Sequence, residues 1–142
     1  MHDGSIDQLT EHVIGCAIAV HRELGPGLLE SIYRDSLVLE LRANDLEVAV
    51  EKRVPVFYRG VQLRDDLKVD IAVAGRLLVE VKCVERQHPV HTAQLLTYVK
   101  LTGYPAGLLL NFHQTTMRAG IKRVDHPDEY ARKRARPVPK AE

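Results

Sequence analysis

Two acids and a lysine, Asp70, Glu80 and Lys82, have the greatest capacity for chemistry in this 142-residue chain, and they fall in two alternating segments. In 67–73 the apolar residues Leu67, Val69, Ile71 and Val73 leave Lys68, Asp70 and Ala72 on the opposite face. In 77–83 the residues Leu77, Val79, Val81 and Cys83 leave Leu78, Glu80 and Lys82 there. A three-residue turn, Ala74-Gly75-Arg76, pairs Val73 with Leu77. That register sets Asp70 opposite Glu80, with β-carbons about 4.5–5.5 Å apart. Like charges opposed in this way destabilise a strand pair unless something positive lies between them, and hard oxygen ligands at that separation suit Mg²⁺ or Mn²⁺. An ordinary cross-strand lattice, in which Lys68 and Lys82 neutralise Asp70 and Glu80 on a solvated face, accounts for the same residues.

Other polar residues share faces with core positions. His91, Gln94 and Tyr98 recur at i, i+3 and i+7 beside an apolar stripe of Leu95, Leu96 and Val99. They serve equally as a functional stripe or as amide and phenol groups capping a sheet rim, and His91 alone reads as a surface or satisfied histidine. Glu30 occupies the stripe of Tyr33, Leu37 and Leu41. An acid in a first helical turn is favoured by the helix dipole by about 0.3–1 kcal/mol, which explains part of that placement. His21 lies near the end of a helical pattern, on the side of Ile14, Ala17 and Ile18, as a core or helix-end histidine would.

The elements that position these residues are legible from periodicity. Ile6, Leu9, Val13, Cys16 and Val20 mark a first helix ending near Leu24, stopped by Gly25-Pro26-Gly27. A second helix runs from about 28 to 43. From Glu47 the period becomes two, with Val54, Val56 and Tyr58, a turn at Arg59-Gly60, then Val61 and Leu63; Pro55 suggests an edge or a bulge. The hairpin of 67–83 follows, then a third helix from Pro89 to about Leu101, closed by Gly103. The apolar run 106–110 reads as a buried strand and 120–124 as a last one. The expected order is α, α, β, β, β, α, β, β, and a helix crossing between 83 and 106 favours parallel strands at its ends.

Composition sets the frame. With 45% hydrophobic and 27% charged residues, 9 Gly and 7 Pro, the chain has average globular usage and reads as one domain, 1–125, followed by a basic tail, 126–142, expected to be flexible. The body holds 15 Lys+Arg against 16 Asp+Glu, a balance of −1, so any phosphate-binding surface must be local. The tail has the dense basic run Arg132, Lys133, Arg134, Arg136 and Lys140. No apolar run approaches the roughly 18 residues of a membrane span, and the acidic first residues lack a signal-peptide pattern, so a cytoplasmic location without membrane contact is expected. Cys16 and Cys83 read as two small buried hydrophobes.

Gly27-Leu28-Leu29-Glu30-Ser31-Ile32-Tyr33, approached by His21-Arg22-Glu23-Leu24-Gly25-Pro26, resembles the GxxExxY proteins. The likeness continues through Asp70, Glu80-Val81-Lys82, Gln94-Leu95-Leu96-Thr97-Tyr98, 103–112 and Gly120-Ile121-Lys122-Arg123, covering roughly residues 8–124. That family is grouped with the PD-(D/E)XK nuclease-like superfamily; Val69 stands where the superfamily has a proline before its first Asp. The resemblance implies an α/β fold with a restriction-endonuclease-like core: two N-terminal helices and a central mixed sheet with a crossover helix. It implies Asp70 and Glu80 as ligands of Mg²⁺ or Mn²⁺, and Lys82 as the group that positions or deprotonates water. Gln94 and Tyr98 become helpers at the phosphate, Glu30 completes the acidic cluster, and His21 and His91 are accessory candidates. Lys122 and Arg123 are expected to meet flanking phosphates. The expected activity is metal-dependent phosphodiester hydrolysis on nucleic acid, with DNA ranked ahead of RNA and a homodimer or accessory protein as a further expectation. Two rivals stand beside it: a non-catalytic nucleic-acid or protein-binding module that keeps the fold, and a hydrolase of small phosphorylated substrates.

Overall fold

The first apolar stripe folds as helix α1 (Ile6–Leu24), which starts at Ser5, whose hydroxyl accepts from the Gln8 N–H at 3.3 Å, and stops at Gly25 with φ +70°. Helix α2 (Glu30–Ala43) begins two residues later than its periodicity suggests, because Gly27 turns the chain at φ +105° and Leu29 is still extended. Five strands then precede the third helix: β1 (Val48–Arg53), β2 (Val56–Tyr58), β3 (Val61–Arg64), β4 (Lys68–Val73) and β5 (Leu77–Lys82). They are followed by α3 (Pro89–Thr102), β6 (Ala106–Asn111), a 3₁₀ turn (Arg118–Gly120) and β7 (Ile121–Asp125). This computed structural model describes residues 5–128, so the basic run from Arg132 to Lys140 lies outside the described residues.

The expectation of three strands before the third helix needs correcting. Periodicity of two runs from Glu47 to the turn at Arg59-Gly60, but Glu51 turns left-handed at φ +53° and Pro55, with no N–H to donate, separates β1 from β2. β1 joins the main sheet, while β2 and β3 form a separate two-stranded ribbon. The main sheet has the order β1-β4-β5-β6-β7, with β5 and β6 parallel across the α3 crossover and the other neighbours antiparallel. The α/β class, the two leading helices and the crossover all agree with the sequence reading.

Helices cover both faces. On one, α1 and α2 bury Val13, Ala17, Tyr33 and Leu37 against Ile71, Val79, Leu108 and Leu110. On the other, α3 buries Leu95, Tyr98 and Val99 against Ala72, Leu78 and Leu109. Each fully buried aliphatic side chain contributes about 1.5–3 kcal/mol. The Asp70 and Glu80 face of the hairpin is therefore not the solvated lattice considered above, since α3 lies over its neighbours. Among the described residues no helix is long and apolar enough to cross a membrane.

Candidate active site

The β4–β5 ladder pairs Val73 with Leu77, Ala72 with Leu78 and Ile71 with Val79, the register set by the Ala74-Gly75-Arg76 turn. The next step would oppose Asp70 and Glu80, and there side chains replace main-chain acceptors. The Asp70 N–H donates to Glu80 Oε1 at 2.7 Å, and the Val81 N–H donates to Asp70 Oδ2 at 2.8 Å. These crossed, charge-assisted bonds hold both carboxylates against the strand backbones. The second oxygen of each has no hydrogen-bond partner among the described residues.

Glu80 is buried and Asp70 half-buried. Burial, and then the charge of Asp70, push the Glu80 carboxyl up to about 7; Glu30 adds to the rise while Lys82 opposes it. Burial also raises Asp70, against its Val81 bond and the positive charges of Arg34 and Lys82. Two acids that resist ionisation side by side form an environment that a cation would relieve. Lys68 is not that cation, because it pairs with Glu51 at 3.6 Å.

Lys82, Tyr98 and Glu30 are coupled by charge to this pair, and His91 to Lys82 and Glu30. Lys82 is half-buried at the end of β5. Tyr98 packs under α3 with its phenol raised by burial and then by the charge of Glu80. Half-buried His91 is lowered by burial and then by the charges of Lys82 and His88, and its Nδ1 is buried without a hydrogen bond. Glu30, the exposed first residue of α2, acts by charge on Glu80, Cys83 and His91. Gln94 is exposed on α3.

Other predicted residues are held elsewhere. His21 Nε2 donates to the Gln114 carbonyl at 2.9 Å, and its ring stacks on Phe112 with centroids 6.2 Å apart. Lys122 and Arg123 lie on opposite faces of β7: Lys122 pairs with Leu109 and lines a cleft with Gln87 and His88, whereas the Arg123 guanidinium is tied to Asp7 at 2.8 Å and Asp125 at 3.0 Å. The motif residue Tyr33 stacks on Phe112 at 4.7 Å, accepts from the Leu28 N–H at 3.1 Å and donates to the Gly25 carbonyl, fixing the turn that leads to Glu30. Cys16 is buried, but Cys83 is half-exposed and donates its thiol to the Leu28 carbonyl at 3.3 Å, a correction to the expectation for two buried thiols.

Two neighbours of Asp70 escaped the sequence reading. Glu51 sits across from it in the β1–β4 register, between the pairs Val50–Ile71 and Lys52–Val69, and its charge raises Asp70. Its only signal, a place on a strand, was hidden because β1 was not separated from 47–63. Arg34 acts on Asp70 from α2 with a buried Nε that makes no hydrogen bond. Its spacing four residues after Glu30 looks like an ordinary solvent-facing helix pair.

Among the described residues no group of three or more His, Cys, Asp or Glu side chains is arranged to hold a metal ion. The donor set fits a hard divalent cation nonetheless, since Mg²⁺ is usually bound through one or two carboxylates, with water and substrate phosphate supplying the other oxygens. The unpartnered carboxylate oxygens and the raised Glu80 are what such a cation would complement. A sequence model of the PD-(D/E)XK nuclease superfamily matches residues 7–124. No curated protein and no solved structure matches the chain.

Proposed function

The chain belongs to the PD-(D/E)XK nuclease superfamily, and from that premise we propose that it hydrolyses phosphodiester bonds of nucleic acid with a divalent metal ion held by Asp70 and Glu80. Within the superfamily we assign it to the GxxExxY proteins on the segment 27–33. We take 1–125 as the nuclease-like domain and 126–142 as a basic tail. DNA is the favoured substrate ahead of RNA.

The crossed bonds between Asp70 and Glu80 carry this reading. They fix two carboxylates at one point of the sheet and leave an oxygen of each for a cation. Bound there, Mg²⁺ or Mn²⁺ supplies charge stabilisation on the phosphoryl oxygens and a more acidic water. Lys82, on the same face as Glu80, orients the attacking water or holds charge on the phosphoryl group. Tyr98 keeps its proton, because burial and Glu80 raise its phenol, and so can donate to a phosphoryl oxygen. Gln94 serves as an amide donor at the exposed side of the same helix, and Glu30 adds negative charge next to Glu80.

Calorimetric titration with Mg²⁺ and then Mn²⁺ tests the site. The native chain is expected to bind, and folded Asp70→Ala and Glu80→Ala variants to lose the signal. No heat at millimolar ion on the native chain would move the reading to a binding module that keeps the fold.

A further inference from the structure

A cleft of about 430 Å³ is lined by Ile18, His21 and Arg22 from the end of α1 and by residues 115–118, among them Thr115, Thr116 and Arg118. Resting on the nuclease reading, we propose that this cleft binds a backbone phosphate of the nucleic-acid strand, with Arg22 and Arg118 as the cationic arms.

Charge is the first support. Arg34, Arg64 and Arg123 each stand within 3.6 Å of an aspartate oxygen, whereas Arg22 and Arg118 have no carboxylate partner among the described residues. A place in the last turn of α1 suits Arg22 as a partner of the helix dipole, but it does not explain a second unpaired guanidinium lining the same cleft. Forked donors of this kind match the oxygens of a phosphate diester. The Thr115 hydroxyl has no hydrogen-bond partner among the described residues; that of Thr116 accepts from the Ala119 N–H at 3.3 Å and keeps its own proton to donate.

The wall is also preformed. Met117 is buried, the Gln114 carbonyl is held by His21 at 2.9 Å, and Gly120 sits so tightly on the Asn111 carbonyl that a β-carbon there would lie 2.1 Å from it. Phe112 donates its N–H to the Lys82 carbonyl at 2.9 Å and Asn111 pairs with Lys82, so the segment leaves the sheet at the end where Lys82 closes β5. Ile18 and Met117 offer apolar surface to sugar or base, which free phosphate would not use.

The test is fluorescence anisotropy of a labelled single-stranded oligodeoxynucleotide on the native chain with EDTA present, over a salt series. Arg22→Gln and Arg118→Gln are each expected to weaken binding severalfold, and together by roughly tenfold. The double variant should also lower the salt slope by about 0.7, the single-strand value for one phosphate that is no longer neutralised. Arg118→Lys should recover part of the loss, and Arg42→Gln, a charge change at the end of α2, should alter affinity less than twofold. The proposal falls if native protein does not bind the oligonucleotide, if the double variant binds as native does, or if Arg42→Gln weakens binding equally. It falls also if millimolar inorganic phosphate displaces the oligonucleotide completely, which would mark a free-phosphate site. Asp70→Asn separates the two readings: it should keep the affinity and abolish divalent-dependent cleavage. No divalent-dependent cleavage by the native chain, with weakened binding in the arginine variants, would sink the nuclease reading and leave the subsite.

Discussion

At the scale of single residues, Glu80 is the most informative group, because its burial beside Asp70 has a thermodynamic consequence. Its carboxyl rises from 4.5 to about 7 on folding, so between those values the unfolded chain gives up the proton before the folded one does. Stability therefore falls as pH rises through that window and is lowest above it, by roughly 2–4 kcal/mol for this group. Urea midpoints of the metal-free native chain should decline across the window, while Glu80→Gln should stay flatter. Mg²⁺ added above the window should restore the native midpoint and leave the variant unmoved. Parallel curves for both chains would reject Glu80 as the titrating group. The Asp70–Glu80 opposition was legible in the sequence because a short turn fixes hairpin register. Arg34 and Glu51 were not, because nothing local says which strand or helix lies beside Asp70.

At the scale of elements, two glycines decide how closely the site's supports approach the sheet. A β-carbon on Gly107 of β6 would meet Leu95 Cγ at 3.0 Å and Val99 Cγ2 at 3.1 Å, so α3 lies directly on that strand with Tyr98 and Gln94 aboard. On Gly120 it would meet the Asn111 carbonyl, a backbone atom, at 2.1 Å. Asn111 in turn accepts from the Val84 and His113 N–H groups at 3.1 Å and donates to the Val84 carbonyl at 2.8 Å, tying the β5–α3 connection to the segment after β6. Gly107→Ala is expected to destabilise by about 1 kcal/mol, since flexible side-chain ends can give, and Gly120→Ala by roughly 3 kcal/mol or more, since the backbone cannot. Chemical denaturation of the two variants checks the order, and a larger loss at Gly107 would contradict it. The alternating pattern carried β4 and β5 and the apolar run carried β6. The division of 47–63 into a sheet strand and a ribbon depended on the left-handed Glu51 and on Pro55, whose effect on pairing is settled by neighbours distant in sequence.

At the scale of the whole molecule, the two buried layers meet at the sheet and the β2–β3 ribbon stands outside both. Tyr58, Val61 and Leu63 of the ribbon are 65%, 60% and 62% exposed. Replacing each by Ser should change stability by no more than about 0.5 kcal/mol. A melting curve on the triple variant tests this, and a large drop would show that the ribbon supports the core. The body's charge balance of −1 means that attraction to nucleic acid must come from local arginines and lysines, a feature the composition states and the fold distributes.

By itself the sequence determined the element types, the hairpin register and the single face shared by Asp70, Glu80 and Lys82, because hydrophobic period and turn length are local properties of the chain. Only the tertiary structure decided that α3 covers that face, that Arg34 and Glu51 stand by Asp70, that His21 anchors a loop and that Lys122 and Arg123 look to opposite sides. Those outcomes depend on which buried surfaces meet and on the desolvation this imposes, and residues far apart in the chain set both.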